Sequence, residues 1–169
     1  MILYILVWIL VVFAVRRKAF SYIFFCAASI LYDLAVYVSI TPPPFWLINF
    51  SNLNCLVHSV RGFLLFGMII FTLYNFRKYR TGKRNEVLPV ICGIGAGMVN
   101  MVRIIISRIL WNRLGDLLES KSYETISAMA ITQSQIQIFL HRIIVALICV
   151  AMIWYIGRLW RGIEPEERK

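Results

Sequence analysis

Apolar positions in this chain gather into five long runs, and charged or helix-breaking residues gather between them. The runs place candidate membrane spans at roughly 1–18, 19–41, 53–76, 87–110 and 137–159, because about 20 apolar residues in a helix cover the hydrocarbon core. Pro42, Pro43 and Pro44 close the second run, since proline can neither donate to nor continue a helix. Phe45, Trp46, Trp111 and Trp160 stand at run ends, where aromatic residues suit the headgroup interface. The first apolar run, Met1 to Val15, is short for a span. It requires local thinning of the bilayer, or Arg16 and Arg17 reaching out of it. A signal peptide carries its positive charges before the apolar stretch; here they follow it, so the run reads as a retained anchor.

The stretch 111–135 breaks this pattern. Trp111, Leu114, Leu117 and Leu118 recur at helical spacing beside Arg113, Asp116 and Glu119, which suits an interfacial amphipathic segment. From Asp116 to Ile156 there is neither glycine nor proline, so the last helix is expected to begin well outside the membrane.

Composition agrees with the pattern. The chain is 60% hydrophobic and 15% charged with mean hydropathy +0.76, whereas soluble domains carry roughly 25% charged residues. The expected class is all-α: one polytopic transmembrane helical bundle spanning 1–169, in a plasma or inner membrane. The net charge of +10 would suggest nucleic acid in a soluble protein, but here it flanks apolar runs. Arg16, Arg17 and Lys18 follow the first run, Arg77, Lys78, Arg80, Lys83 and Arg84 the third, and Arg158, Arg161, Arg168 and Lys169 the last. Those twelve lie on one side of the membrane, against only Arg113 and Lys121 on the other. The positive-inside rule then puts the N-terminus outside and the C-terminus inside.

Cysteine spacing adds nothing catalytic: Cys26, Cys55, Cys92 and Cys149 form no CxxC pair. Gly93 and Gly97, four apart in an apolar helix, allow close helix contact.

Polar residues inside the spans carry the candidate chemistry, because a charged side chain at a helix centre costs about 2.5–3.5 kcal/mol on insertion scales and normally faces a partner. Asp33, His58, Arg61, Arg103, Arg108, His141 and Arg142 all fall in the outer halves of their spans. Tyr22, Cys26, Ser29, Asp33 and Tyr37 share one face of the second helix, and Ala96, Asn100, Arg103 and Ser107 one face of the fourth. Three readings follow. Asp33 pairs with Arg61 or Arg103 in a network that fixes helix register. Alternatively, one carboxylate cannot neutralise several arginines, and Arg61, Arg103, Arg108 and Arg142 with Asn100 hold an external anionic group, such as an anionic lipid. Finally, His58 and His141, on different helices at similar depth, have the arrangement that a bis-histidine b-type haem requires.

No nucleophile is paired with a histidine by spacing, no two carboxylates share a membrane level, and HExxH is absent. The sequence therefore points to a non-enzymatic protein that acts in the lipid bilayer as subunit or accessory of a membrane assembly, with other membrane subunits or copies of itself as partners and no nucleic acid. A pore or transport protein for an anion, or a membrane-permeabilising effector, is the alternative. A haem-binding membrane subunit is the second alternative.

Overall fold

A computed structural model describes the backbone at residues 1–40, 50–78, 87–119 and 123–162, and side chains at 1–36, 56–78, 87–109 and 131–162 apart from 133. The described residues form five helices and no strand: α1 (Ile2–Arg16), α2 (Ser21–Ile40), α3 (Phe50–Lys78), α4 (Val87–Glu119) and α5 (Tyr123–Arg161). The all-α expectation therefore holds. Three helices are long and apolar enough to cross a membrane, over Leu56–Lys78, Val87–Ile109 and Ser134–Arg161, while Ile2–Arg16 and Ser21–Val36 are shorter apolar helices. At about 1.5 Å per residue α1 extends roughly 22 Å, less than the roughly 30 Å of hydrocarbon.

Each helix packs on the next, and α1 closes the ring against α5, with α2 also touching α5. Cross-contacts show the sense of each pairing. Ser29 meets Met68 while Tyr22 meets Asn75, so α2 and α3 run antiparallel. Gly93 lies against Thr72 and Gly97 against Ile69, which makes α3 and α4 antiparallel. Gln137 reaches Arg103 and Gly95 faces Leu147, which does the same for α4 and α5. This up-and-down order gathers Arg16, Arg17, Lys18, Arg77, Lys78, Arg158 and Arg161 at one end of the bundle.

The α1–α2 turn at that end is tight. Lys18 takes φ 55°, and Ala19 N–H bonds Ala14 C=O at 2.8 Å while Lys18 N–H bonds Val15 C=O at 3.1 Å. These two bonds satisfy carbonyls that the end of a helix leaves open. The stretch expected as a separate amphipathic segment is divided: α4 continues to Glu119 and α5 starts at Tyr123. Nothing between Leu110 and Leu114 breaks the fourth helix.

Polarity is arranged inside out relative to a water-soluble bundle. Trp8, Phe24, Phe63, Phe66, Met98, Met101 and Phe139 are exposed, while Ser29, Arg61, Thr72, Asn75, Asn100, Arg103 and Arg158 are buried. That distribution suits a lipid surround, where apolar side chains cost nothing outside and polar ones need partners within. Near the basic end the interior is aromatic. Tyr155 meets Tyr22, Phe25 and Phe71 edge-on at centroid distances of 5.2, 5.5 and 5.8 Å, joining α2, α3 and α5.

Close approach of α3 and α4 depends on Gly93, since a Cβ there would lie 2.9 Å from Thr72 Oγ1. That hydroxyl is held by its 2.7 Å bond to the Ile69 carbonyl and cannot move aside freely. Gly93→Ala is expected to destabilise the protein by about 1–2 kcal/mol, read as a lowered melting point in detergent. An unchanged melting point would show that this helix contact tolerates separation.

Candidate functional site

The half of the bundle away from the basic end holds a continuous polar cluster to which every helix contributes. On α2, Asp33 is the hub. Tyr4 of α1 donates its hydroxyl to Asp33 Oδ2 at 2.7 Å, and His141 Nε2 of α5 lies 2.9 Å from Asp33 Oδ1. An ionised carboxylate only accepts, so Nε2 carries the proton and Nδ1 of a neutral His141 is left as an acceptor. The side chains of His141 and Asp33 are 13% and 22% exposed, so the pair sits below the bundle surface.

Around this hub lie groups that face inward by helical spacing. Tyr32, next to Asp33, is fully buried, its ring 5.8 Å from that of His141. Arg61 of α3, 2% exposed, places its guanidinium carbon 5.6 Å from the Tyr32 ring centroid, a cation–π distance. On α4, Asn100 and Arg103 are one turn apart and 7% and 3% exposed. Arg103 is within electrostatic reach of Tyr32, His58 and His141. Its backbone carbonyl accepts from Gln137 Nε2 at 3.5 Å, but among the described residues no acceptor meets its guanidinium. Three further buried polar atoms at this level have no hydrogen-bond partner among the described residues: Tyr32 Oη, Asn100 Oδ1 and His141 Nδ1.

The sequence candidates thus fall into two groups. Asp33, Arg61, Asn100, Arg103 and His141 are brought to one level inside the bundle. Arg108, Arg142 and His58 are exposed on its outside. The Asp33 carboxylate is engaged by His141 and Tyr4, while Arg61 lies against the Tyr32 ring. His141 uses Nε2 on Asp33, so axial ligation of a haem by that nitrogen would first require the bond to Asp33 to break. Among the described residues no group of three His, Cys, Asp or Glu side chains is placed to hold a metal ion.

Sequence reasoning missed Tyr4 and Tyr32. Tyr32 was within reach as the neighbour of Asp33, whereas Tyr4 carries no signal until α1 is known to pack on both α2 and α5. It also counted Arg158 among the basic residues that follow the last apolar run, yet this residue is 6% exposed and lies beside Asn75, Pro89, Trp154 and Tyr155.

The arrangement joins α1, α2 and α5 through one carboxylate and, among the described residues, leaves buried Arg103 at the same level without a counter-charge. An anion entering the cluster would meet that cation. No family model, no curated protein and no solved structure matches the chain.

Proposed function

We propose that this chain is a five-span integral membrane protein, N-terminus outside and C-terminus inside, that acts without catalysis as subunit or accessory of a membrane assembly and holds an anionic group in its outer half. The observation that carries the site is Arg103. It is 3% exposed with no acceptor for its guanidinium among the described residues, and Asp33 is engaged by Tyr4 and His141. Buried charge of one sign without a counterpart is costly in a low-dielectric interior, so a ligand that supplies the opposite charge binds with the desolvation already spent.

Association has its own support. Arg142 is exposed on α5 in the same outward stripe as Phe139, Ala146, Val150 and Ile153. An arginine on a lipid-facing stripe calls for a headgroup phosphate or an acidic residue of a neighbouring subunit.

The anion site is tested by Arg103→Gln. In native mass spectrometry from mild detergent, the parent should retain an anionic lipid adduct and the variant should lose it, with the melting point unchanged or raised because an uncompensated charge is gone. A parent without anionic adducts, together with a variant of lowered melting point, would assign Arg103 to architecture alone. Topology is tested by cysteine labelling. A reporter between α3 and α4 should react only from inside, and one between α4 and α5 only from outside; the reverse sidedness would overturn the orientation.

A further inference from the structure

The unsatisfied atoms of the cluster specify more than charge. Building on the anion site proposed above, we infer that its ligand is a phospholipid whose anionic phosphodiester headgroup also carries a free hydroxyl.

The donors come first. Arg103 presents a guanidinium and Tyr32 a phenol, each 3% exposed or less, and both suit the oxygens of a phosphodiester. A simple anion such as chloride, or a fully substituted phosphodiester, would satisfy these two groups. It would leave the acceptors unanswered. Asn100 Oδ1 is buried without a donor among the described residues, and so is His141 Nδ1. In a neutral His141 that nitrogen is an acceptor, because the Asp33 carboxylate accepts the Nε2 proton in a hydrogen bond. A ligand that only accepts would leave both of these groups desolvated and unpaired, at the full cost of burial. A ligand hydroxyl answers one of them while its phosphate answers Arg103. Asn100 and Arg103 are one helical turn apart on α4, so their side chains lie on one face about 5 Å apart along the axis. That spacing matches the reach from a phosphate to a hydroxyl two or three bonds along a headgroup.

The lipid source follows from what surrounds the cluster: beside Arg103 on α4, Met101, Val102, Ile104 and Ile105 are exposed and apolar. Toward the basic end, the same helix faces continue from polar to apolar, and Leu65, Met68, Cys92, Ala96, Leu147 and Ile148 close together with room for about one water molecule. Ala96 is one turn inward of Asn100 on α4, and Leu65 one turn inward of Arg61 on α3. A polar cluster flanked by exposed apolar side chains suits the headgroup of an amphiphile drawn from the bilayer. The headgroup sits at Arg103 and its acyl chains stay in the surrounding lipid.

The experiment needs no variant at the outset. The delipidated protein in mild detergent is titrated with phosphatidylglycerol, with phosphatidylmethanol, which has the same charge and a methyl in place of the hydroxyl-bearing glycerol, and with phosphatidylcholine, and bound lipid is counted by native mass spectrometry. Phosphatidylglycerol should bind about tenfold more tightly than phosphatidylmethanol, the scale of one buried hydrogen bond, and both more tightly than phosphatidylcholine. Asn100→Leu should bring phosphatidylglycerol to the level of phosphatidylmethanol and leave the latter unchanged. Equal binding of the two anionic lipids, both above phosphatidylcholine, would overturn the hydroxyl requirement and leave the anion site standing, its acceptors then met by ordered water. Equal binding of all three would overturn the anion site itself. Soluble glycerol phosphate binding as tightly as the lipid would overturn the lipid source.

Discussion

Asp33→Leu is expected to lower the stability of the detergent-solubilised protein by about 3–5 kcal/mol. The carboxylate accepts from Tyr4 at 2.7 Å and meets His141 at 2.9 Å, so its loss strands two donors on two other helices. Hydrogen bonds to a charged group contribute about 1.5–3 kcal/mol each, and no water in the hydrocarbon region stands ready to replace them. Asp33→Asn is the informative control. Its amide oxygen can still accept from His141 and its amine can donate to the Tyr4 oxygen, so the expected loss is smaller, about 1–2 kcal/mol. Denaturant or thermal unfolding in one detergent compares the three proteins. A leucine variant within about 1 kcal/mol of the parent would mean that the Asp33 junction does not hold α1 and α5 to α2.

Much of the fold was open to inspection in the chain itself, because lipid imposes a strong and simple constraint. Apolar runs broken by Pro42 to Pro44 and by basic clusters predict helices, and the described residues form five of them, although α4 runs on to Glu119, α5 starts at Tyr123, and three are long and apolar enough to cross a membrane. Shared depth was legible in part: of the seven residues expected in the outer halves of their spans, Asp33, Arg61, Arg103 and His141 lie at one level inside the bundle, whereas His58, Arg108 and Arg142 are exposed. Who bonds to whom was not. Pairing depends on which helices adjoin and how each is rotated, and neither quantity is local in sequence. The charge-based expectation directed Asp33 toward arginine, the strongest partner available. In the structure the helix that meets α2 at this residue from α5 presents His141, while α1 presents Tyr4, a residue type so ordinary in an apolar run that nothing marks it. The same limit explains Arg158. As a basic residue near a run end it reads as a membrane-face charge, and only the packing of α5 shows it buried.

The interior near the basic end owes its order to ring contacts, and removing the ring of Tyr155 tests that. Tyr155→Ala is expected to cost about 3 kcal/mol, at the low end of the roughly 3–5 kcal/mol typical for aromatic truncation in a soluble core. The reason for the low end is the solvent. Lipid tails are as apolar as the helix interface, so the transfer contribution that water supplies is largely absent and van der Waals packing remains. That packing is extensive here: Tyr155 is 1% exposed and contacts three rings, Tyr22 at 5.2 Å, Phe25 at 5.5 Å and Phe71 at 5.8 Å. Edge-to-face ring pairs contribute about 0.5–1.5 kcal/mol beyond burial, and alanine would abolish all three while leaving a void between α2, α3 and α5. Tyr155→Phe preserves the rings and should remain within about 1 kcal/mol of the parent, which separates packing from the hydroxyl. Tyr155→Ala and Phe71→Ala share one contact, so their combined cost should fall short of the sum of the single costs. Strict additivity, or a Tyr155→Ala variant as stable as the parent, would show that these helices are held by other contacts and that the aromatic cluster merely fills space.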